Sequence, residues 1–174
     1  MALAVCLLFD AQGEHAIRRL WQRLEDEGVP TLLSHTHGHH VPHLSYAVLR
    51  SYDLDKVSDA LDLLPDEGPM TLHFDAIGMF RRSRTWLVPS VTSDIARRQE
   101  RVVEAVESTG AELHRHYQPG VWVPHCTLAP RTTLERLPTI AAAVFDVLPL
   151  VSIVDRAALI ETSTGAQYPL EVLP

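Results

Sequence analysis

Cysteine is nearly absent from this 174-residue chain. Cys6 and Cys126 stand alone, neither in a Cys-x-x-Cys pair, which excludes a disulfide framework and reads as two buried thiols. Glycine is scarce, and no low-complexity tract or linker interrupts the sequence, so residues 1–174 read as a single domain. Basic charge is in short supply too: 15 Lys and Arg stand against 22 Asp and Glu, a net charge of -7 that would repel a polyanion. Tight non-specific binding to long duplex nucleic acid is thereby excluded, and any nucleic-acid partner must be short or held by a local basic patch. No apolar run approaches the roughly 18 residues of a membrane span, so no membrane partner is expected and the expected location is cytoplasmic. The opening run Met1–Phe9 has no preceding Lys or Arg and no small-residue cleavage site, and it predicts a buried first strand rather than a leader.

With 46% hydrophobic and 21% charged residues, the composition is that of a globular chain with enough apolar material for a core. Ile17, Leu20, Trp21 and Leu24 recur at helical spacing before Gly28. Asp53 is placed to cap a second helix, Ser93 a third that carries Ile95, Val102, Val103 and Val106, and Thr132 with Glu135 forms a capping-box signal for a fourth. Strand-like runs at 44–49, 70–80, 85–91, 121–128, 147–160 and 167–173 bring the expected count to about seven strands and four helices. The basic turn Arg81-Arg82-Ser83-Arg84 joins two of those strands as a hairpin.

Sliding the chain against itself by 82 positions brings several unrelated signals into register. Val41-Pro42-His43 falls on Val123-Pro124-His125, Ser45 on Thr127, Gly28 on Gly110, and Leu20, Trp21 and Leu24 on Val102, Val103 and Val106. A helix stripe, a helix-ending glycine and a strand motif recurring in the same order predict two related lobes facing each other. On a strand, residues two apart share a face, so His43 projects with Ser45 and His125 with Thr127. A twofold pair of lobes would bring both couples into one cleft. One imidazole could then take a proton from water while the other gives one to a leaving oxygen, with two hydroxyls donating to a phosphate between them. Such a site needs neither metal nor cofactor.

These residues resemble the 2H phosphoesterases, which include the 2'-5' RNA ligase-like proteins and 2',3'-cyclic nucleotide phosphodiesterases. Their signature is two copies of His-x-Thr/Ser followed by an apolar residue, present here as His43-Leu-Ser-Tyr46 and His125-Cys-Thr-Leu128. The resemblance extends through Phe74–Phe80 and the terminal stretch from Tyr168 to Leu173. It implies an α+β, bilobal, pseudo-twofold fold with an antiparallel sheet in each lobe, helices outside and a central groove. It further implies His43 and His125 as catalytic residues, Ser45 and Thr127 as phosphate-binding ones, and a nucleotide or short RNA end with a cyclic phosphate as partner. In many relatives a basic residue follows the second motif sooner than Arg131 does here, and Arg131 takes that place as a substrate contact.

Among the remaining candidates, Arg81, Arg82 and Arg84 could meet phosphate or ribose, and Tyr46, Trp122 and Tyr168 could stack on a base. The alternative for the basic turn is simple solvation, and for the aromatics a place in the core. Ser34-His35-Thr36-His37-Gly38-His39-His40 has the look of a zinc-hydrolase metal loop, although its central aspartate is replaced by His39 and later ligands have no counterpart. Its plain alternative is a solvated loop at the cleft entrance. His114 and His116 read as surface residues, and His15 and His73 have no evident partner. Three functional classes therefore compete: a two-histidine phosphoesterase, a non-catalytic RNA- or nucleotide-binding module using the same groove, and a zinc hydrolase. Neither the substrate nor the oligomeric state follows from the sequence.

Overall fold

The computed structural model describes residues 2–81 and 83–174, so Arg82 of the basic turn lies outside the described residues. The chain alternates strand and helix: β1 (Leu3–Phe9), α1 (Ala11–Asp26), β2 (His43–Ser51), α2 (Leu54–Asp62), β3 (Met70–Phe80), β4 (Arg84–Pro89), α3 (Ser93–Ser108), β5 (Glu112–Leu113), β6 (Cys126–Ala129), α4 (Leu137–Phe145), β7 (Leu150–Glu161) and β8 (Gln167–Pro169). Arg115–Tyr117 and Leu134–Arg136 are short 3-10 turns. Every strand pairing is antiparallel, in the order β5-β2-β1-β7-β3-β4-β6 with β8 on β7.

The repeat is built into this order. Helices α1 and α3 begin and end 82 positions apart, and Gly28 and Gly110 follow them with φ of +75° and +82°, a left-handed geometry that glycine adopts without a Cβ penalty. The first half supplies β1, β2 and β3 and the second β4, β6 and β7, but β3 and β7 are exchanged, so the sheet's two lobes are β2-β1-β7 and β6-β4-β3. The halves join where β3 pairs with β7, so the expected sheet of each lobe continues into the other. Thr71 pairs directly with Ile153, 82 positions away, as a twofold axis between equivalent residues requires.

Strand β1 explains why a cleft can open beside this sheet. Leu3, Val5, Leu7 and Phe9 alternate onto one face and enter the hydrophobic core with Ile17, Trp21 and Leu24 of α1. The other face carries the small side chains Ala4 and Cys6, which line the cleft. Burial pushes the Cys6 thiol up to about 12, so it stays neutral.

The helix starts differ in part from the sequence expectation. Asp53 caps α2, accepting from Lys56 N at 3.3 Å, but α3 is capped by Thr92, whose Oγ1 accepts from Ile95 N at 3.2 Å, rather than by Ser93. The capping box at Thr132 does not form. Thr132 is buried and its Oγ1 accepts from Thr85 Oγ1 at 2.9 Å, while Pro138 occupies the first turn of α4.

At the start of α1, Gly13 is forced by proximity. A Cβ there would stand 1.7 Å from Ser152 Oγ and 2.9 Å from Asp10 Oδ1, the capping oxygen that accepts from Gly13 N. Gly13→Ala is expected to cost about 1–3 kcal/mol through overpacking, despite alanine's better helix propensity. Urea denaturation measures the loss, and adding Ser152→Gly should recover part of it.

Candidate active site

The two motif strands share an irregularity that no sequence pattern announced. In β2 the register passes from Val5↔Ala47 to Cys6↔Ser45, skipping Tyr46; in β6 it passes from Thr85↔Ala129 to Trp86↔Thr127, skipping Leu128. Each half therefore carries a β-bulge at the same repeat position, one residue after the motif hydroxyl. A bulge disrupts the ladder locally and re-aims side chains. Backbone carbonyls beside the bulges accept from side chains instead: Trp122 Nε1 donates to Ser45 O at 3.0 Å, Trp21 Nε1 to Thr127 O at 3.1 Å, and Gln99 Nε2 to Tyr46 O at 3.2 Å. Trp21 and Gln99 lie on α1 and α3, so each half's helix steadies the other half's motif strand.

The two imidazoles are held alike. His43 Nδ1–H donates to Val41 O and His125 Nδ1–H donates to Val123 O, both at 2.7 Å. A carbonyl only accepts, so each Nδ1 carries its proton and each Nε2 is left for chemistry. Strands β2 and β6 lie against each other, and the His43 backbone N–H faces the Cys126 thiol. Burial pulls His43 below the ordinary imidazole value of about 6.5, with the Arg84 charge adding to the effect. His125 is lowered to about 4 by burial, then by the His43 and Arg84 charges. Near pH 7 the site thus holds two neutral rings, with the Arg84 guanidinium acting on both.

A cleft of about 190 Å³ opens beside His43, lined also by Cys6, Arg84, Thr127, the histidine-rich loop and residues between 160 and 167 at the end of β7; His125 is not among its lining residues. The ring of His125 rests edge-on against Phe80, centroids 5.0 Å apart, and beside Trp86 at 5.8 Å. Gly78 makes room for that indole, since a Cβ there would come within 2.4 Å of it.

The motif hydroxyls are not equivalent. Thr127 lines the cleft, whereas Ser45 is only 7% exposed and its Oγ sits 3.6 Å from Cys6 Sγ. Tyr46, considered as a stacking surface, is instead completely buried against Trp122, with ring centroids 5.8 Å apart. Trp122 is engaged by that contact and by the Ser45 carbonyl. Tyr168 neighbours the cleft-lining Gln167 on β8 and, by strand alternation, takes the opposite face. Arg81 is exposed on its turn and does not line the cleft; Arg131 is exposed but acts electrostatically on His35.

The histidine-rich segment is a cleft wall rather than a freely solvated loop. His37 lies 4.1 Å from His40 and 5.9 Å from His39, centroid to centroid, and His35 stacks on His40 at 5.8 Å. Among the described residues no group of three or more His, Cys, Asp or Glu is arranged to hold a metal ion, which corrects the zinc-loop reading of His35–His40. The rings pack on one another instead of converging on a common point.

Residues 10–166 match the 2'-5' RNA ligase superfamily. The chain belongs to that family. It is thereby one of the 2H phosphoesterases, as its paired motifs suggested. Solved structures share the fold at low identity. TT0787 of Thermus thermophilus is 17% identical with TM-score 0.63, covering 100% of both chains. LigT of E. coli, complexed with NADP+, is 14% identical with TM-score 0.62, covering 97% of this chain and 94% of that one. Usb1 of Kluyveromyces marxianus, with uridine monophosphate, is 11% identical with TM-score 0.53, covering 97% and 98%. No curated protein matches. No helix among the described residues is long and apolar enough to cross a membrane.

Gly78, Trp86, Gln99 and Gln167 escaped the sequence reading as site residues, and Cys6 reads there only as a buried thiol. Only Gly78 left a local sign, a glycine within a strand, which marks a close approach. Two measurements test the site's construction. Trp21→Phe and Trp122→Phe each orphan a carbonyl beside a bulge and are expected to cost about 1–3 kcal/mol in urea denaturation with the fold retained. The lowered imidazoles mean that the unfolded chain binds more protons than the folded one below about pH 6.5. Stability is therefore expected to be level above that pH and to fall toward pH 4, with a shallower fall in His125→Asn and a His125 Cε1–H NMR midpoint near 4.

Proposed function

We propose that this superfamily member is a metal-independent phosphoesterase that opens a 2',3'-cyclic phosphate, or a related 2'-5' phosphodiester, at a nucleotide or short RNA end. One observation carries the reading: two imidazoles with Nδ1 anchored on backbone carbonyls stand on equivalent strands, within electrostatic reach of each other and of Arg84. Nucleotide complexes of neighbours with this fold, LigT with 3'-AMP and Usb1 with uridine monophosphate, support a nucleotide ligand.

In the proposed step, Nε2 of one neutral ring accepts a proton from water as the water oxygen attacks phosphorus. The bond from phosphorus to the 3' oxygen breaks, and that oxygen takes a proton from Nε2 of the other, charged ring, leaving a 2'-phosphate. The cyclic phosphate itself prepares the acid. Its negative charge counters Arg84 and favours the protonated form of an imidazole that burial otherwise keeps neutral. Arg84 and the Thr127 hydroxyl stabilise the charge that grows on the non-bridging oxygens. Ser45, enclosed against Cys6, serves by holding the strand beside His43 more than by reaching the phosphate.

Incubation with adenosine 2',3'-cyclic phosphate in EDTA is expected to yield the 2'-phosphate with undiminished rate. His43→Ala and His125→Ala should each lower kcat by about 10²–10⁴-fold. The pH–rate profile should be bell-shaped, because one ring must be neutral and the other charged. Loss of activity on chelation, or full activity without either histidine, would overturn the reading. Saturable binding without turnover would support the nucleotide-binding module in its place.

A further inference from the structure

The two-histidine reaction makes no use of the wall that runs from His43 along residues 34–41, yet that wall is firmly built. Thr31 and Ser34 anchor it to α1: their hydroxyls donate to Glu25 Oε1 at 2.8 and 2.7 Å, and their backbone N–H groups reach the same oxygen at 3.2 Å. Within it, Thr36 Oγ1 and His40 Nε2 are hydrogen-bonded at 2.9 Å. The His39 backbone N–H donates to His37 Nδ1 at 3.0 Å, so the proton of the neutral His37 ring sits on Nε2. Among the described residues, that buried Nε2 has no hydrogen-bond partner.

Cationic groups from three elements act on this wall. Arg84 from β4 and Arg131 from the segment after β6 act on His35, and His43 from β2 acts on His40. Two carboxylates stand beside it: Glu25, taken up by Thr31 and Ser34, and Glu161 at the end of β7, which lines the same cleft and accepts from Thr164 Oγ1 at 2.9 Å. An orphaned N–H donor, ionisable imidazoles and two guanidiniums make a site for an anion, in a protein whose net charge is -7.

Resting on the proposed function, we infer that this wall is a second phosphate subsite, which takes a phosphate on the 5' oxygen of the nucleoside whose 2',3' end occupies His43 and His125. Burial and neighbouring charges hold His35 below its ordinary value and His40 at about 4, so these two rings are neutral near pH 7. A bound anion favours the charged rings, so binding takes up protons and strengthens as pH falls.

The test is calorimetric and does not require turnover. Adenosine 2'-phosphate and adenosine 2',5'-bisphosphate are titrated into the wild-type protein at about pH 6.5 and 8.5, a range that spans the ordinary imidazole value. The bisphosphate is expected to bind about 10–100-fold more tightly at the lower pH, the size of one charge-assisted hydrogen bond, with the ratio shrinking at the higher. His35→Gln and Arg131→Gln, checked for folding by thermal melts, should each bring that ratio toward 1. A dinucleotide ending in a 2'-phosphate separates the two sources: binding as tight as the bisphosphate assigns the 5' phosphate to an RNA chain, and weaker binding assigns it to a free nucleotide. Equal affinity for the one- and two-phosphate ligands, in a protein that hydrolyses cyclic phosphates, overturns the subsite alone. Failure of both ligands to bind, without hydrolysis, overturns the subsite and the proposed function together.

Discussion

A bulge one residue beyond each motif hydroxyl is the constraint from which the rest of the site follows. Interrupting a ladder at the edge of a cleft turns side chains toward it, but a buried carbonyl without a partner is costly. Here the carbonyls of Ser45, Tyr46 and Thr127 are met by Trp122, Gln99 and Trp21. Two of those donors come from the helix of the opposite half. The groove is therefore set by core packing rather than by loops, and neither half could form its motif strand in this way without the other.

The second layer is electrostatic. Anchoring Nδ1 on the carbonyl two residues earlier gives both imidazoles the same tautomer, and a proline between carbonyl and histidine, Pro42 or Pro124, stiffens the arrangement by fixing φ. Burial and Arg84 both favour the uncharged rings. The interior is thereby spared from holding two imidazolium ions beside a guanidinium.

Much of this was legible because the duplication preserved its signals in order. The offset of Val41-Pro42-His43 from Val123-Pro124-His125 located both motif strands, and the same offset describes α1 and α3 from end to end. What stayed hidden depends on contacts between distant segments. Thr132 looks like a cap because its neighbours look helical, yet Thr85 of β4 claims its hydroxyl. Tyr46 looks available because it follows a motif, but the bulge and Trp122 seal it. The stacked rings of the histidine-rich wall, closed by Gly165 where a Cβ would stand 2.6 Å from His37, have no signature beyond composition.

The pairing of Thr71 with Ile153 has a consequence for how such a chain can arise and specialise. A strand that pairs with its own twofold mate is self-complementary, so two copies of a half-length chain could make the same seam as an isologous dimer. Identical copies, however, are bound to identical pockets. Covalent fusion lifts that restriction, and here one hydroxyl has withdrawn against a thiol while its twin still opens to the groove. Positions that began as equivalents are thereby free to differ, one enclosed and one open.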